Sequence, residues 1–320
     1  MEKSTAGFIG RQKKPGEKKR YGRGIIKENM QIYALMLPTL VLIFIFCYIP
    51  MYGLVIAFQD YVPGAPFLGE GVKWVGLRWF DKFISGHYFS RLIKNTLILS
   101  GLNLLFGFTA PIFFALLLDQ IKHTRFKKFI QTASYMPYFI STVVVAGMVI
   151  SFIDTDGLVT NLLMLLGFDR KNYHVEPSAF PWIYTITNVW KNFGFGSILY
   201  CSIISSIDPG LYEAAKLDGA NRWQTLWRVT IPNVMPSITI CMFLSLTNGF
   251  KLFDQNLALT GGDPNHATEM LALNIYQTFY ARAGMQWKGY GQAKAVIFCA
   301  LVIIISLVQL KATRSKEVQQ

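Results

Sequence analysis

The chain is poor in charged residues and in the residue types that build most catalytic and metal sites. Of its 320 residues only 15% are charged, four are cysteine and four are histidine. All four cysteines fall inside apolar blocks without paired spacing, so we expect buried free thiols and draw no inference about redox chemistry from them. The histidines are scattered and show no metal-ligand spacing. No nucleophile with a nearby base stands out either, and a membrane enzyme is the weakest interpretation.

The sequence also lacks a phosphate-binding loop. That motif needs a Gly-Lys dipeptide, and none occurs anywhere in the chain. We therefore expect no cofactor on this chain. An ATP-driven activity would require a separate polypeptide to bind ATP and Mg.

What the chain has instead is long apolar runs. Hydrophobic residues make up 52% of it, and six runs reach the roughly 20 residues that cross a hydrocarbon core. The pattern predicts an all-α, polytopic membrane protein with six transmembrane helices. The predicted spans are Ile32–Phe58, Leu92–Leu118, Ile130–Phe152, Trp182–Ser206, Val234–Leu252 and Tyr290–Leu310.

The net charge of +13 comes from Lys and Arg residues that are distributed unevenly between the two sides of the predicted membrane topology. Six spans put 19 Lys and Arg residues on the side that holds both termini, and 8 on the other side. The positive-inside rule then places both termini, and the loop 207–233, in the cytoplasm of a cell whose plasma membrane holds the protein. No folded basic surface is left over, which excludes nucleic acid as a partner.

Three regions follow from this topology. Residues 1–31 form a basic cytoplasmic tail that we expect to be disordered, whether it touches anionic lipid or only sets topology. Residues 32–311 form the transmembrane domain, and residues 312–320 a cytoplasmic C-terminal tail. The outer loop 253–289 is expected to contain a helix over Thr268–Ala281 that Thr268 caps.

The loop 207–232, called the elbow below, has the signals of two helices joined by a glycine. Asp208 is a candidate N-cap and Pro209 suits the first turn of a helix that Gly219 can end. Pro232 is expected to stop the second helix. Such an elbow, held by a span on each side, suits docking into a groove on another protein.

An apolar stripe follows the glycine, at Trp223, Leu226 and Trp227. The alternative for the elbow is an amphipathic segment lying on the lipid surface. The acidic, alanine-rich first half favours the docking interpretation, because surface-bound helices favour a basic face.

Spans four and five each carry a polar face. Amides and a lysine can hydrogen-bond the hydroxyl groups of a solute, whereas an aromatic ring can stack on an apolar ring face. Polar side chains are costly in hydrocarbon, so these faces should point to a water-filled path or into the helix bundle. The alternative is that they only join helices, or that Lys191 and Lys294 snorkel to the outer interface. The faces consist of Asn188, Lys191, Asn192 and Phe195 in span four and of Ser245, Asn248, Gly249 and Leu252 in span five.

The elbow resembles the EAA loop of ABC importer permeases. That pattern reads Glu-Ala-Ala, three residues, Gly, nine residues, Ile-x-Leu-Pro, and here Val229 and Ile231 replace its Ile and Leu. The sequence around Asp218 resembles that of the carbohydrate-uptake branch of this family, the maltose-permease relatives. The resemblance extends from about Tyr33 to Arg314. The matching positions, to which it assigns the coupling to an ATPase, are Glu213, Ala214, Ala215, Asp218, Gly219 and Pro232.

The resemblance implies a type I importer permease that moves a sugar by alternating access. The implied partners are a second, different permease chain, two copies of a cytoplasmic ABC ATPase and an extracellular solute-binding lipoprotein. It also implies that the polar faces of spans four and five line the sugar path. Phe250–Asp254 looks like the polysaccharide-fragment permeases of Gram-positive bacteria, which points to an oligosaccharide. The alternative is a self-sufficient secondary transporter of a small polar solute, but no inverted repeat is visible.

Overall fold

The computed structural model describes residues 23–250, 253–261, 268–280 and 287–317. Within these ranges the regular structure is helical, and the one β-bridge joins Gln59 to Trp74. The predicted all-α class is thereby confirmed for the described chain. Residues 1–22, where most of the basic tail falls, lie outside it, as do the last three residues.

The described chain forms two units, one ending at Leu54 and the other beginning at Val55. The first unit is built on α1, Arg23–Ile43, which is followed by a π-helical turn at Phe44–Tyr48 and a 3₁₀ segment at Ile49–Phe58. Its large apolar side chains are exposed, which suits a helix in lipid.

The second unit contains the remaining thirteen described α-helices. Several follow one another without a loop and form longer helical rods, joined by π-helical turns at Asn103–Gly107 and Leu226–Thr230. The helices are α2 (Arg78–Ile84), α3 (Phe89–Leu102), α4 (Phe108–Asp119), α5 (Thr124–Tyr135), α6 (Thr142–Ile153), α7 (Leu158–Leu165), α8 (Phe180–Ser205), α9 (Pro209–Leu217), α10 (Arg222–Thr225), α11 (Ile231–Gly249), α12 (Asp254–Leu259), α13 (Leu271–Tyr280) and α14 (Trp287–Glu317).

Five helical stretches of the described chain are long and apolar enough to cross a membrane. Four of them correspond to predicted spans one, two, five and six. The predicted fourth span is α8, whose 26 residues reach about 39 Å, enough to cross, although its polar residues lower its hydropathy. The five stretches are Ile32–Phe58, Phe89–Asp119, Thr142–Leu165, Arg222–Leu246 and Lys288–Lys311.

The predicted third span, Ile130–Phe152, is not one continuous helix. A 3₁₀ turn at Met136–Phe139 with an extended Ile140 interrupts it between α5 and α6, and the helical stretch that is long and apolar enough to cross a membrane runs over Thr142–Leu165. Pro137 fixes the tight turn, and Ser141 caps α6 by accepting a bond from the Val144 N–H. The helix α6 ends at Ile153, where the predicted outer loop begins.

Close backbone packing holds the second unit together. In lipid, apolar burial alone does not drive helices together, so small residues at the crossings matter. Gly194 shows this: a Cβ atom there would collide with the carbonyl oxygen of Ser134, so only glycine lets α8 touch α5. Gly289 is a second close contact, where an added Cβ would lie 2.5 Å from the carbonyl oxygen of Gln59.

The helix in the last outer loop begins later than predicted. It starts at Leu271, and Thr268 lies buried before it, with its hydroxyl 2.8 Å from that of Thr260. Asn256 donates to the Thr268 carbonyl oxygen at 2.9 Å. These contacts tie Thr268 to α12, which explains why it does not open the helix.

Candidate functional site

The first helix of the elbow is formed as predicted. Asp208 accepts a bond from the Gly210 N–H at 2.9 Å, Pro209 opens α9, and Gly219 has a φ of +75°. The Ala220 N–H returns to the Ala215 carbonyl at 2.9 Å, and the Gly219 N–H to that of Lys216 at 3.1 Å. This pair of bonds is the glycine C-cap that ends many helices.

The second helix of the elbow begins with a reciprocal cap that the sequence analysis missed. Asn221 accepts from the Gln224 N–H at 2.9 Å, and the Gln224 side chain accepts from the Asn221 N–H at 2.8 Å. An Asn followed three residues later by a Gln was the available signal.

Pro232 does not stop this helix, contrary to the prediction. The chain stays helical from α10 through a π-helical turn into α11, and Pro232 lies in the first turn after it. A proline ring displaces the carbonyl four residues earlier, and the wider turn at Leu226–Thr230 accommodates this without ending the helix. Pro236 follows inside α11.

The residues to which the resemblance assigns coupling form an exposed surface on a firmly held support. Glu213, Ala214, Asp218, Gly219 and Pro232 are exposed, and Ala215 is half-buried. Leu217, which the sequence analysis did not single out, is 90% exposed at the tip.

Beneath this surface the elbow is anchored to three transmembrane helices. The Tyr212 hydroxyl lies 3.2 Å from that of Thr230, which joins α9 to the π-helical turn. An apolar cluster then connects the elbow to α4, α8 and α11, so a force on the elbow reaches those helices directly. The buried members of the cluster are Ala115, Tyr200, Ile204, Ile207 and Val234.

The predicted aromatic stripe faces a groove. Trp223 and Trp227 are 70% and 62% exposed and, with half-buried Leu226, line a cavity of about 430 Å³ against the end of α4. The stripe is therefore the side of the elbow that faces the end of α4.

On α8, two members of the predicted polar face form an amide network. Asn188 is buried and donates to the Asn103 Oδ1 atom at the start of the π-helical turn after α3. Asn192 donates to the Asn188 carbonyl at 2.9 Å and to its Oδ1 at 2.7 Å. Gly107, one turn further on, leaves room for this: a Cβ there would lie 2.8 Å from the Asn103 oxygen.

The other two members of the face contact the region around the break before α6. Half-buried Lys191 donates to the Thr142 Oγ1 atom at 2.7 Å. Phe195 stacks on Tyr138, with ring centroids 3.9 Å apart and planes 4° from parallel. All four predicted residues of α8 thus lie on the side that faces α3 and the break.

The predicted face of α11 meets α3. The Gly249 carbonyl accepts from the buried Ser100 hydroxyl at 3.2 Å, and a Cβ on Gly249 would lie 3.7 Å from the Asn103 amide. Asn248 is exposed and Ser245 is half-buried. Leu252 lies outside the described residues.

Asn103 therefore lies between the two predicted faces. The sequence analysis missed it, although an asparagine inside predicted span two was a usable signal. Through its side chain the α8 face, the α3 rod and Gly249 of α11 come together.

Lys294 does not snorkel as expected. It is 2% exposed, and its ammonium donates to Asn274 Oδ1 at 2.6 Å and to Thr278 Oγ1 at 2.9 Å. Its charge also lies 4.2 Å from the centroid of the Tyr290 ring. Asn274 in turn donates to the buried Glu269 carboxylate at 2.7 Å, which links α13 to α14 by a polar network.

Among the described residues no group of three or more metal-ligating side chains occurs.

The fold and site define a multi-pass membrane component with an exposed, anchored loop. The chain belongs to the family of binding-protein-dependent transport system inner membrane components, whose family model matches residues 107–314.

Relatives are carbohydrate ABC permeases, that is, transporter subunits and not enzymes. The chain is 35% identical to the polygalacturonan/rhamnogalacturonan transport system permease protein YteP of Bacillus subtilis, over 90% of this chain and 89% of that protein. It is 37% identical to the probable starch degradation products transport system permease protein AmyD of Thermoanaerobacterium thermosulfurigenes, over 60% of this chain and 65% of that one.

A solved structure agrees with the fold. A chain of a bacterial ABC transporter in complex with an alginate pentasaccharide-bound periplasmic protein superposes with a TM-score of 0.80 at 34% identity. The match covers 93% of this chain and 98% of that one. The protein is thus a carbohydrate ABC transporter permease of the type I importer fold.

Proposed function

We propose that this chain is the membrane-spanning subunit of an importer that moves an oligosaccharide by alternating access, powered by a separate ATPase. The observation that carries the proposal is the elbow, an exposed surface anchored to α4, α8 and α11. A surface that only connected two spans would not need three caps and an apolar anchor.

The mechanism follows from these contacts. Two copies of a cytoplasmic ABC ATPase bind ATP and Mg, close, and move the elbow at Glu213–Gly219. The apolar cluster around Tyr200 and Val234 passes this movement to α8 and α11. These helices carry the proposed path residues, so the sugar site becomes open to one side and then to the other. Both termini and the elbow lie in the cytoplasm in this arrangement.

Names of relatives support an oligosaccharide as the cargo. They refer to polygalacturonan or rhamnogalacturonan, to starch degradation products and to the acidic polysaccharide alginate. A second, different permease chain would complete the path, and an extracellular solute-binding lipoprotein would deliver the sugar, as the periplasmic protein of the alginate complex suggests.

Reconstitution tests the proposal. The chain is purified with its second permease and ATPase, placed in proteoliposomes and supplied with the binding protein and a panel of labelled pectin, alginate and maltodextrin oligosaccharides. We expect uptake that depends on ATP and on the binding protein. Uptake of a probe without ATP or ATPase would instead show a secondary transporter.

A further inference from the structure

The break between α5 and α6 lies beside the middle of α8. Lys191 of α8 bonds Thr142, the first residue of α6, at 2.7 Å, and Phe195 stacks on Tyr138 of the 3₁₀ turn. These two α8 residues lie about 17 to 23 Å from the start of the helix, counting 1.5 Å per residue from Phe180. The break is therefore deep in the membrane, far from both ends of α8.

Backbone that is not α-helical is costly at this depth. Ile140 is extended, with a ψ of 135°, and the 3₁₀ turn before it leaves carbonyl groups that an α-helix would satisfy. Lipid offers no hydrogen bonds, so such backbone occurs at membrane depth only where protein buries it or where it lines a water-filled cavity. Tyr138 and Phe195 are 40% and 37% exposed, which shows that this chain does not bury the break.

The side chains at the break suit a sugar. Tyr138 and Phe195 stack face to face, so the outer face of the stack is the one against which a pyranose can place its C–H face. Lys191 lies one helical turn from Phe195, and its ammonium has three donors, of which Thr142 takes one. Among the described residues no carboxylate lies within 4 Å of it. An apolar surface beside unused donors matches the two sides of a pyranose.

We propose that Tyr138 is a substrate-contacting residue that forms, with Phe195, an aromatic platform for a pyranose ring of the transported sugar. Thr142 and Lys191 supply the polar edge of this platform. The inference rests on the proposed sugar transport. It adds a contribution from the third span to the two faces on α8 and α11.

Water access is the first test. Tyr138→Cys is made in a chain without its native cysteines, assembled in the full complex and treated with a membrane-impermeant, water-soluble methanethiosulfonate. We expect labelling in at least one state of the ATPase cycle and slower labelling when imported sugar is present. Ile186→Cys is the control, because Ile186 faces the apolar groove between α4 and α8 and should stay unlabelled. A thiol at position 138 that is unreactive in every state would place the break against lipid or protein and overturn the platform.

Transport kinetics give the second test, with the probe from the oligosaccharide panel that the wild-type complex imports fastest. Tyr138→Leu should raise KM by about tenfold, as expected for the loss of one aromatic contact, while Tyr138→Phe keeps KM within about twofold. Met136→Leu, which changes an exposed side chain of the same 3₁₀ turn outside the platform, is the control and should leave KM within about twofold.

The two proposals fail differently. If the wild-type complex imports a sugar and Tyr138→Leu has a wild-type KM, the platform is wrong and the importer stands. If the wild-type complex imports none of the probes, the proposed function is wrong and the platform falls with it.

Discussion

At the residue scale, the side chain of Asn103 holds different helices in one arrangement. It accepts a bond from Asn188 of α8 and lies beside Gly249 of α11, whose carbonyl Ser100 also holds. Buried amides of this kind stabilise only when their partners are present. The predicted path residues on α8 are therefore also packing residues, whereas Asn248 of α11 is not.

Asn248 gives a cleaner test of sugar contact than the α8 amides. Its side chain is exposed and makes no hydrogen bond within the described chain, so Asn248→Ala should leave assembly and basal ATP hydrolysis unchanged. Uptake at limiting sugar should fall several-fold, because one lost hydrogen bond is worth roughly 0.5–1.5 kcal/mol. Val189→Ala, on another side of α8, is the control and should change uptake less. The reverse ranking would favour helix packing as the role of both polar faces.

Lys294→Met should destabilise the protein. The substitution removes the donor of Asn274 and Thr278 in a buried network, at a cost of about 2–4 kcal/mol. In detergent the midpoint of thermal unfolding should fall by roughly 5–10 °C. Lys94→Met, which removes an exposed lysine, is the control and should shift the midpoint little. An unchanged midpoint for Lys294→Met would mean that the network adds nothing to stability.

At the scale of elements, variants of the elbow can test its proposed coupling role separately from folding. Gly219 has a φ of +75°, which proline cannot adopt, so Gly219→Pro should distort the tip of the elbow while the anchoring cluster around Tyr200 keeps its packing. Membrane insertion should be near normal, but association with the ATPase or sugar-stimulated ATP hydrolysis should be lost.

Two further variants sharpen this test. Glu213→Ala removes an exposed side chain of the same surface and should also reduce coupling. Gly64→Pro breaks a second glycine of positive φ, 93°, in a different exposed loop, and should leave coupling intact. A purified Gly219→Pro complex that kept its ATPase and transported at the wild-type rate would exclude the docking role.

The elements predicted correctly are those that local chemistry determines. The caps at Asp208 and Gly219 depend on residues within a few positions, and both appear in the structure. The break inside the third span was missed, because an apolar run does not show where Pro137 will make a 3₁₀ turn. The continuation of α11 past Pro232 was missed for a related reason, since a π-helical turn can accommodate a proline.

The partners of side chains were harder to predict than the helices. Lys294 donates hydrogen bonds to residues 16 and 20 positions earlier, on another helix. The periodicity of a single helix does not predict a contact of this kind. Asn103 and Tyr138 became candidates only when packing brought them to α8. The elbow, by contrast, is one continuous stretch of chain, so its resemblance to the EAA loop could be read from the sequence before any packing was known.

At the scale of the whole molecule, the topology predicted from the distribution of positive charge can be tested by labelling. Single cysteines at Ser4, Lys122, Arg222 and Lys316, without the native four, should be shielded from an impermeant thiol reagent in intact cells. Cysteines at Lys73, Arg170 and Asn265 should react, unless a bound partner covers them. Labelling of position 222 from outside would place the elbow on the side without ATP and overturn the orientation.

The helical rod from α10 through α11 also has a mechanical consequence. Pro236 lies about 21 Å along the rod from Arg222 and about 20 Å from Gly249, at 1.5 Å per residue. If the rod pivots at this proline, where the backbone ladder lacks a donor, its two arms are almost equal in length. A lever with equal arms neither amplifies nor attenuates: the stroke delivered at one end returns at the other with similar size and opposite sense.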